Sequence, residues 1–295
     1  MYWKDNADGV LSQMDPAKTL AEQLPHALAR SRSPIWMDSS TSQECAELEA
    51  LAGSPEHLAA VTGSRAYERF TGNQIARLLK RGDTSEEGGD ALLDLGRISL
   101  ISSFGCSLLA GKVAPIDLSD GSGMNLLDIR GPESKDIRWM KEALGACVAR
   151  PGNEDADLAS LASIPVLAGM LGDPVPSHAQ VAGRTSEFCQ QRYGFGADVT
   201  VSAWSGDNPN SVAGLRLSQA GEIAVSLGTS DTMFGIAKAA DAEPGLEGHV
   251  FVSPSDPSDR MMMLCYKNGS LTRQRIRDMY ADGDWAAFGA ALERT

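Results

Sequence analysis

Residues 199–232 constrain the fold of this chain more than any other stretch. β-Branched and polar residues alternate at its start, and the run stops at Gly-Asp-Asn-Pro, residues 206–209. The pattern predicts a strand that ends at a loop and continues as a helix, with Asn208 as N-cap and Pro209 at the first helical position. Asp207 then lies at the carboxyl end of a strand, the edge where open α/β sheets bind ligands. The helix dipole favours its ionised form, which can accept a proton.

The second half of the stretch predicts a hairpin. Residues 222–227 form a short apolar strand, and a hydroxyl-rich turn follows, made of Gly228, Thr229, Ser230 and Asp231. A glycine with several hydroxyls can direct N–H and O–H donors at phosphate oxygens. Gly-Thr-Ser turns are also ordinary hairpin chemistry, so both interpretations stay open.

Length and charge limit the classes of protein. A chain of 295 residues is long for a single core and predicts two domains. Its net charge of −13 argues against nucleic acid or an anionic membrane as partner, because both require a positive surface. A phosphorylated ligand would therefore need a local cluster of donors.

The five cysteines and the apolar segments predict a soluble, cytoplasmic protein. The cysteines are odd in number and widely scattered, which indicates reduced thiols rather than a disulfide framework. We find no signal-peptide pattern at the N-terminus. The longest uncharged run, residues 158–172, is broken by Pro165 and is too short to span a bilayer.

Several common catalytic motifs are missing from the sequence. The four histidines lack HxxxH or HExxH spacing, so no metal site is predicted from the residues. We find no GxSxG nucleophile elbow, Walker A loop or GxGxxG loop. A nucleotide, if bound, would be held by other means.

Two polar, glycine-punctuated segments could contact a ligand. In residues 62–74, Arg65 or Arg69 could present a forked donor, or could pair with Glu68. Residues 115–129 carry carboxylates and an amide that could hold a sugar, although a hairpin turn is favoured. Trp285 could stack on a purine or simply pack.

Other segments carry structural predictions. Residues 34–38 are typical of a short buried strand, which leads into a helix with a capping box at Thr41. Residues 82–96 indicate a loop, and residues 150–175 have the composition of an insertion. Residues 180–195 predict an amphipathic helix ending at Gly194.

Many segments match one family in order along the chain. They are residues 34–41, 62–75, 116–127, 191–195, 206–209, 224–232, 246–249 and 267–271. In these segments the chain resembles the FGGY-type carbohydrate kinases, and most closely their xylulokinase branch. The resemblance implies an α/β protein with two domains of ribonuclease-H/actin-like fold. Residues 1–219 would be the remainder of the sugar-binding domain, and residues 220–295 the start of the nucleotide-binding domain.

The resemblance also implies roles for individual residues. Asp207 would be the general base on a sugar hydroxyl, and Asn208 and Arg69 would bind the ketose. The nucleotide phosphates would lie on the turn of residues 228–231, and the adenine beside Trp285. The implied partners are D-xylulose and ATP with Mg²⁺, and the implied product is D-xylulose 5-phosphate.

The chain also departs from the family pattern. The family's N-terminal Asp-x-Gly-Thr phosphate loop, its sugar-binding histidine and its C-terminal Gly-Gly adenosine loop do not occur in this sequence. We therefore expect a kinase fold that is incomplete at both ends. The alternative expectation is a non-catalytic module that keeps a sugar pocket, and the oligomeric state stays open.

Overall fold

The computed structural model describes residues 1–81, 95–149, 155–176 and 178–294. Its helices are α1 (Ala7–Ser12), α2 (Leu20–Gln23), α3 (Ser42–Leu51), α4 (Pro55–Thr62), α5 (Thr71–Arg81), α6 (Ile101–Ala110), α7 (Leu118–Ser122), α8 (Lys141–Val148), α9 (Asp155–Leu171), α10 (Glu187–Tyr193), α11 (Asp207–Gly214), α12 (Gly269–Tyr280) and α13 (Trp285–Leu292). Its strands are β1 (Tyr2–Lys4), β2 (Leu95–Ile98), β3 (Leu127–Asp128), β4 (Arg138–Trp139), β5 (Val181–Arg184), β6 (Thr200–Ser202), β7 (Ile223–Leu227), β8 (Asp231–Lys238), β9 (His249–Val252) and β10 (Asp259–Tyr266).

The strands form short antiparallel pairs and one larger sheet. β1 pairs with β2, β3 with β4, and β5 with β6, while the four-stranded sheet has the order β7-β8-β10-β9. The mixture of helices and strands confirms the predicted α/β class. Of the predicted loop, residues 82–94 lie outside the described residues, and Leu95 and Gly96 belong to β2.

The predicted hairpin of β7 and β8 is confirmed. β8 also pairs along its whole length with β10, and Phe234 and Ile236 of β8 are buried with Met261 and Met263 of β10. Alternate residues of a strand point to opposite faces, so these four side chains share one face and form a small core.

Strand β9 attaches this sheet to the earlier part of the chain. The amide of Val250 donates to the Gly63 carbonyl at 2.8 Å, and the amide of Val252 donates to Ser122 Oγ at 3.2 Å. The sheet lies beyond residue 219, yet its edge strand hydrogen bonds to α7 and to the loop after α4. The division into domains at residues 219 and 220 stays a prediction.

The main core lies among α3, α5, α8, α9 and β2. Helix α9 belongs to the segment predicted as an insertion, of which residues 150–154 lie outside the described part. Leu167 and Leu171 of α9 are buried in this core, and Trp139 Nε1 donates to the Gly172 carbonyl at 2.7 Å. The described part of the segment is therefore packed into the domain.

Two local predictions are wrong near the start of the chain. Residues 34–38 form a turn rather than a buried strand, and Trp36 is 76% exposed. An apolar run becomes a strand only where a neighbour completes its ladder, and no described strand pairs with this one. The capping box is also wrong, because the Thr41 hydroxyl donates to the Glu68 carbonyl at 2.6 Å.

The predicted helix over residues 180–195 is right only in its second half. Residues 181–184 form β5 because they pair with β6, and the helix begins after Ser186, whose hydroxyl caps it. Its end is as predicted, since Gly194 adopts φ 75°.

Candidate functional site

The predicted strand, loop and helix around Asp207 are present. In β6 and just after it, buried Val201 and Ala203 alternate with exposed polar residues, and α11 begins at Asp207. The N-cap, however, is Gly206 rather than Asn208, which corrects the sequence prediction. The first four N–H groups of a helix lack intrahelical partners, so Pro209 is tolerated at the third position of the first turn as well as at the first.

The Asp207 carboxylate lies in solvent at the helix N-terminus. Its Oδ1 accepts from the Asn208 amide N–H at 2.9 Å and from Asn208 Nδ2 at 3.3 Å. Three residues earlier, Trp204 packs on α6, where a Cβ added to Gly105 would lie 2.6 Å from the indole ring. An accessible carboxylate and an amide therefore project together from an anchored loop.

The loop is anchored from below by two further carboxylates. Ser205 Oγ donates to Asp117 Oδ2 at 2.5 Å. A Cβ added to Gly206 would lie 2.5 Å from Asp120 Oδ1, so a larger residue there would displace the Asp120 carboxylate. The other Asp120 oxygen accepts a short hydrogen bond from Ser102 of α6. The position of Asp207 is thus set by contacts to α6 and α7.

Residues 115–129, for which sugar binding and a hairpin turn were both open, contain the short helix α7. Asp117 caps α7 by accepting from the amides of Ser119 and Asp120. Burial raises the pKa of Asp120 to about 6 against the opposing hydrogen bond from Ser102, and the nearby carboxylates of Asp117 and Asp207 raise it further. The sequence analysis offered these carboxylates as sugar ligands but missed their place beneath Asp207 and the helix they begin, although Asp117 followed by Asp120 is a recognisable helix start.

Arg69 lies in the loop between α4 and α5 with its guanidinium exposed. The guanidinium carbon is 5.2 Å from the ring centroid of Tyr67 and 5.4 Å from that of Phe70. Its Nη2 is 3.4 Å from Nε2 of His249. Arg65 instead pairs with Glu49, Nε to Oε1 at 3.2 Å. In the structure, Arg65 therefore pairs with Glu49 and Arg69 contacts His249, rather than either arginine pairing with Glu68.

His249 is a further residue to which the sequence analysis assigned no role. Its ring is 6% exposed and packs 5.0 Å from the ring of Tyr67 and 5.3 Å from that of Phe70. Burial lowers the pKa of His249 to about 4, and the positive charge of Arg69 lowers it further. His249 ends the segment 246–249 that resembles the family, but the sequence analysis gave it no role, and only the tertiary structure reveals its neighbours.

Phe251 lies between His249, which contacts Arg69, and helix α11, which begins at Asp207. Its ring lies 5.9 Å from that of His249 and belongs to the same buried cluster as Val212 of α11. Arg69 is thus linked to the Asp207 helix through His249 and Phe251, although in the described part of the chain no direct contact joins the two predicted sugar-binding residues.

The turn of residues 228–231 packs against the first turns of α12. Arg273 Nη2 donates to the Gly228 carbonyl at 2.9 Å, and the same guanidinium forms a short ion pair with Asp231. The Ser270 amide donates to the Thr229 carbonyl at 3.4 Å, and within the turn the Gly228 amide donates to the Ser230 carbonyl at 3.1 Å. The turn is thus a hairpin turn braced by a helix.

Trp285 is the first residue of α13, the helix that follows α12 in the chain. Its indole is 49% exposed, and the guanidinium carbon of Arg277 is 4.5 Å from the ring centroid. Arg277 follows Arg273 by four residues, so both project from one side of α12. The two segments expected to meet a nucleotide therefore contact neighbouring turns of one helix.

The described residues lack two kinds of feature. No group of three or more His, Cys, Asp or Glu side chains there could hold a metal ion. None of the helices there combines the length and apolarity that crossing a membrane requires.

The sequence is similar over its whole length to known kinases. It is 46% identical to the mouse protein named xylulose kinase over 295 residues, which is 100% of this chain and 48% of that protein. It is 45% identical to xylulose kinase 2 of Arabidopsis thaliana, with the same coverage. The chain thus spans about half the length of the curated relatives it matches. No protein-family model matches the chain.

Solved structures show the same fold at much lower identity. The xylulose kinase from Bifidobacterium adolescentis aligns with a TM-score of 0.65 at 17% identity, covering 85% of this chain and 51% of that one. This likeness confirms the predicted actin-like sugar kinase fold.

Proposed function

Because the chain is related over its whole length to the xylulose kinases of the FGGY family, we propose that it is the part of such an enzyme that holds the sugar and supplies some of the nucleotide contacts. The proposed reaction converts D-xylulose and ATP into D-xylulose 5-phosphate and ADP. The observation that carries the proposal is the exposed Asp207 carboxylate, anchored at a helix N-terminus in a chain with this similarity.

Asp207 is the proposed general base. The sugar hydroxyl oxygen forms a bond to the γ-phosphorus, the bond from that phosphorus to the β,γ-bridging oxygen breaks, and the hydroxyl proton moves to the carboxylate. Phosphoryl transfer requires little covalent chemistry from the protein, so positioning and one proton acceptor are the main contributions. A general base contributes about 10²- to 10⁴-fold to the rate.

Asn208 and Arg69 are the proposed sugar-binding residues. The Asn208 amide lies beside the Asp207 carboxylate and can both donate to and accept from hydroxyl groups. Arg69 only donates, and its planar guanidinium presents several N–H groups in a fixed fork. The two side chains therefore offer complementary contacts to a polyhydroxylated ketose.

The proposed nucleotide contacts lie along α12. The turn of Gly228, Thr229, Ser230 and Asp231 would line the phosphates, and the exposed face of Trp285 would lie beside the adenine. Magnesium would arrive with the triphosphate as MgATP, because Mg²⁺ is commonly held by one or two carboxylates together with substrate phosphates. We place the reaction in the cytoplasm, since all five cysteines are free thiols.

The test compares Asp207→Asn with wild type in the full-length protein. We expect kcat, measured by coupled ADP release, to fall at least about 100-fold, because the base is lost. The affinity for D-xylulose, measured by isothermal titration, should change little because the amide keeps the shape of the site. Asp198→Asn is the matched control, since Asp198 is exposed just before β6 and should leave kcat unchanged.

Two results would contradict the proposal. Normal kcat in Asp207→Asn would remove the base assignment. Binding of D-xylulose without ADP release by the wild-type full-length protein would instead support a non-catalytic sugar-binding module.

A further inference from the structure

His249 has no role in the reaction proposed above, yet it occupies an enclosed position. It is the first residue of β9 and is surrounded by the rings of Tyr67, Phe70 and Phe251. Both ring nitrogens reach polar partners in spite of this aromatic surrounding. A buried polar group with two placed partners is held in one orientation.

The two partners determine which ring nitrogen carries the proton. Nε2 lies 3.4 Å from Nη2 of Arg69, and Nδ1 lies 3.1 Å from Ser64 Oγ. A guanidinium can only donate, so Nε2 must be the acceptor. A neutral imidazole then carries its proton on Nδ1 and donates it to the Ser64 hydroxyl.

The charge state agrees with this arrangement. Burial and the neighbouring Arg69 lower the pKa of His249 to about 4, so the ring is neutral near pH 7. A protonated ring would turn Nε2 into a second donor facing the guanidinium. The neutral form is therefore the one that can hold Arg69.

The backbone around His249 fixes the ring relative to the arginine loop. The Val250 amide donates to the Gly63 carbonyl at 2.8 Å. Gly63 adopts φ 88°, and a Cβ there would lie 1.9 Å from the Val250 carbonyl oxygen. The close approach of these two backbones leaves His249 little freedom to move relative to residues 64–70.

We propose that His249 is a positioning residue that accepts a hydrogen bond from Arg69 and fixes the direction of the N–H groups that Arg69 offers to the sugar. The inference rests on the proposed function, in which Arg69 binds the ketose. Apart from His249, the rings of Tyr67 and Phe70 are the contacts that the described residues give to the long, exposed side chain of Arg69. Fixing it before the sugar binds removes part of the entropy cost of binding.

The test compares two amides in the full-length protein. The His249→Gln amide can reach the place of Nε2 and present its carbonyl oxygen to Arg69. The shorter His249→Asn amide ends near the place of Nδ1, so it keeps the contact to Ser64 but not that to Arg69. We expect His249→Asn to raise KM for D-xylulose about tenfold, with kcat and KM for ATP nearly unchanged. His249→Gln should recover most of this loss.

Arg69→Ala separates failure of this inference from failure of the proposed function. If Arg69→Ala leaves KM for D-xylulose unchanged, the sugar-binding assignment of Arg69 is wrong. If Arg69→Ala raises KM and His249→Asn does not, the role of His249 alone is wrong. Adding His249→Asn to Arg69→Ala should cause no further rise, because the two residues act through one contact.

A purely structural role would give a different pattern. Both His249 variants would then lower the melting temperature and raise KM equally, and the amide that reaches Arg69 would have no advantage. That pattern would overturn the inference.

Discussion

Asp120 shows how a carboxyl group can be held where ionisation is unfavourable. It lies beneath Gly206, near the carboxylates of Asp117 and Asp207. Burial raises its pKa from the ordinary 3.8 to about 6, against the hydrogen bond from Ser102. The folded state therefore binds more protons than the unfolded state between these two pH values. The contribution of Asp120 to stability is present below pH 3.8 and is lost as the pH rises through 6.

We expect Asp120→Asn to gain stability over wild type as the pH rises from 4 to 7. The amide oxygen can still accept from Ser102, and no charge has to be buried. The gain should be at most about 3 kcal/mol, from 1.36 kcal/mol per pKa unit. Urea unfolding at several pH values measures it.

Asp128→Asn is the control of opposite sign. Burial raises the pKa of Asp128, but the hydrogen bonds from Arg130 outweigh burial and lower the pKa below its ordinary value. The Asp128 carboxylate therefore stabilises the fold at neutral pH. Asp128→Asn should therefore lose stability relative to wild type as the pH rises. A difference between Asp120→Asn and wild type that does not depend on pH would contradict the assignment for Asp120.

His249 titrates in the same pH range with the opposite effect. Its folded pKa of about 4 lies below the ordinary 6.5, so the unfolded state binds more protons between the two values. Its contribution to stability is present above pH 6.5 and is lost as the pH falls through 4. We expect wild type to lose up to about 3 kcal/mol over this interval relative to His249→Gln. Parallel stability profiles for wild type and His249→Gln would show that the ring does not titrate there.

At the scale of elements, local residue patterns correctly predicted one hairpin, one helix end and the strand, loop and helix around Asp207. The hairpin of β7 and β8 follows from alternating apolar residues on either side of a glycine turn. The end of α10 follows from Gly194, which takes the left-handed conformation that other residues adopt at a cost. The strand, loop and helix around Asp207 were also predicted, because each step has its own residue pattern.

The failures arise where contacts between distant residues decide the structure. Residues 181–184 form a strand because β6 lies beside them, and no local pattern shows that pairing. The partner of Arg69 is His249, which is 180 residues away in sequence. Glu68, the alternative partner that the sequence offered, is adjacent to Arg69, and a sequence pattern shows only such local pairings.

Helix α12 gives a prediction at this scale. Arg273→Gln removes the ion pair to Asp231 and the donor to the Gly228 carbonyl, so the turn of residues 228–231 loses its brace. If that turn lines the phosphates, KM for ATP should rise about tenfold while KM for D-xylulose stays unchanged. Steady-state kinetics of the full-length protein measures both constants.

Arg275→Gln is the matched control for this prediction. Arg275 lies on the same helix and is exposed, so its loss should leave both constants unchanged. A rise in KM for D-xylulose in Arg273→Gln, with KM for ATP unaffected, would contradict the assignment of the turn to the nucleotide.

For the whole molecule, one face of the four-stranded sheet is buried, and the other face is buried around Val250 of β9 but exposed toward the edge strand β7. Its register aligns Ile223 with Met262 across Gly235, and Val225 with Leu264 across Met233. The apolar side chains that β7 and β10 place on this second face are exposed, from 37% for Met262 to 65% for Leu227. An apolar patch of this kind on a folded chain is typical of an interaction surface or of a site of association. Strand β7 is also an edge strand, which adds unpaired backbone groups beside the patch.

We expect the 295-residue chain, expressed alone, to bind a hydrophobic dye and to self-associate through this face. Val225→Thr combined with Leu264→Thr should reduce dye fluorescence and association, measured by light scattering, with little change in melting temperature, because threonine suits an exposed strand. Met261→Thr is the matched control, since Met261 is fully buried on the opposite face and its loss should lower the melting temperature sharply. If the double variant associates as strongly as wild type, another surface drives association. Met261 and Leu264 thus lie on opposite faces of β10, and the two sets of variants distinguish a buried core position from an exposed contact position.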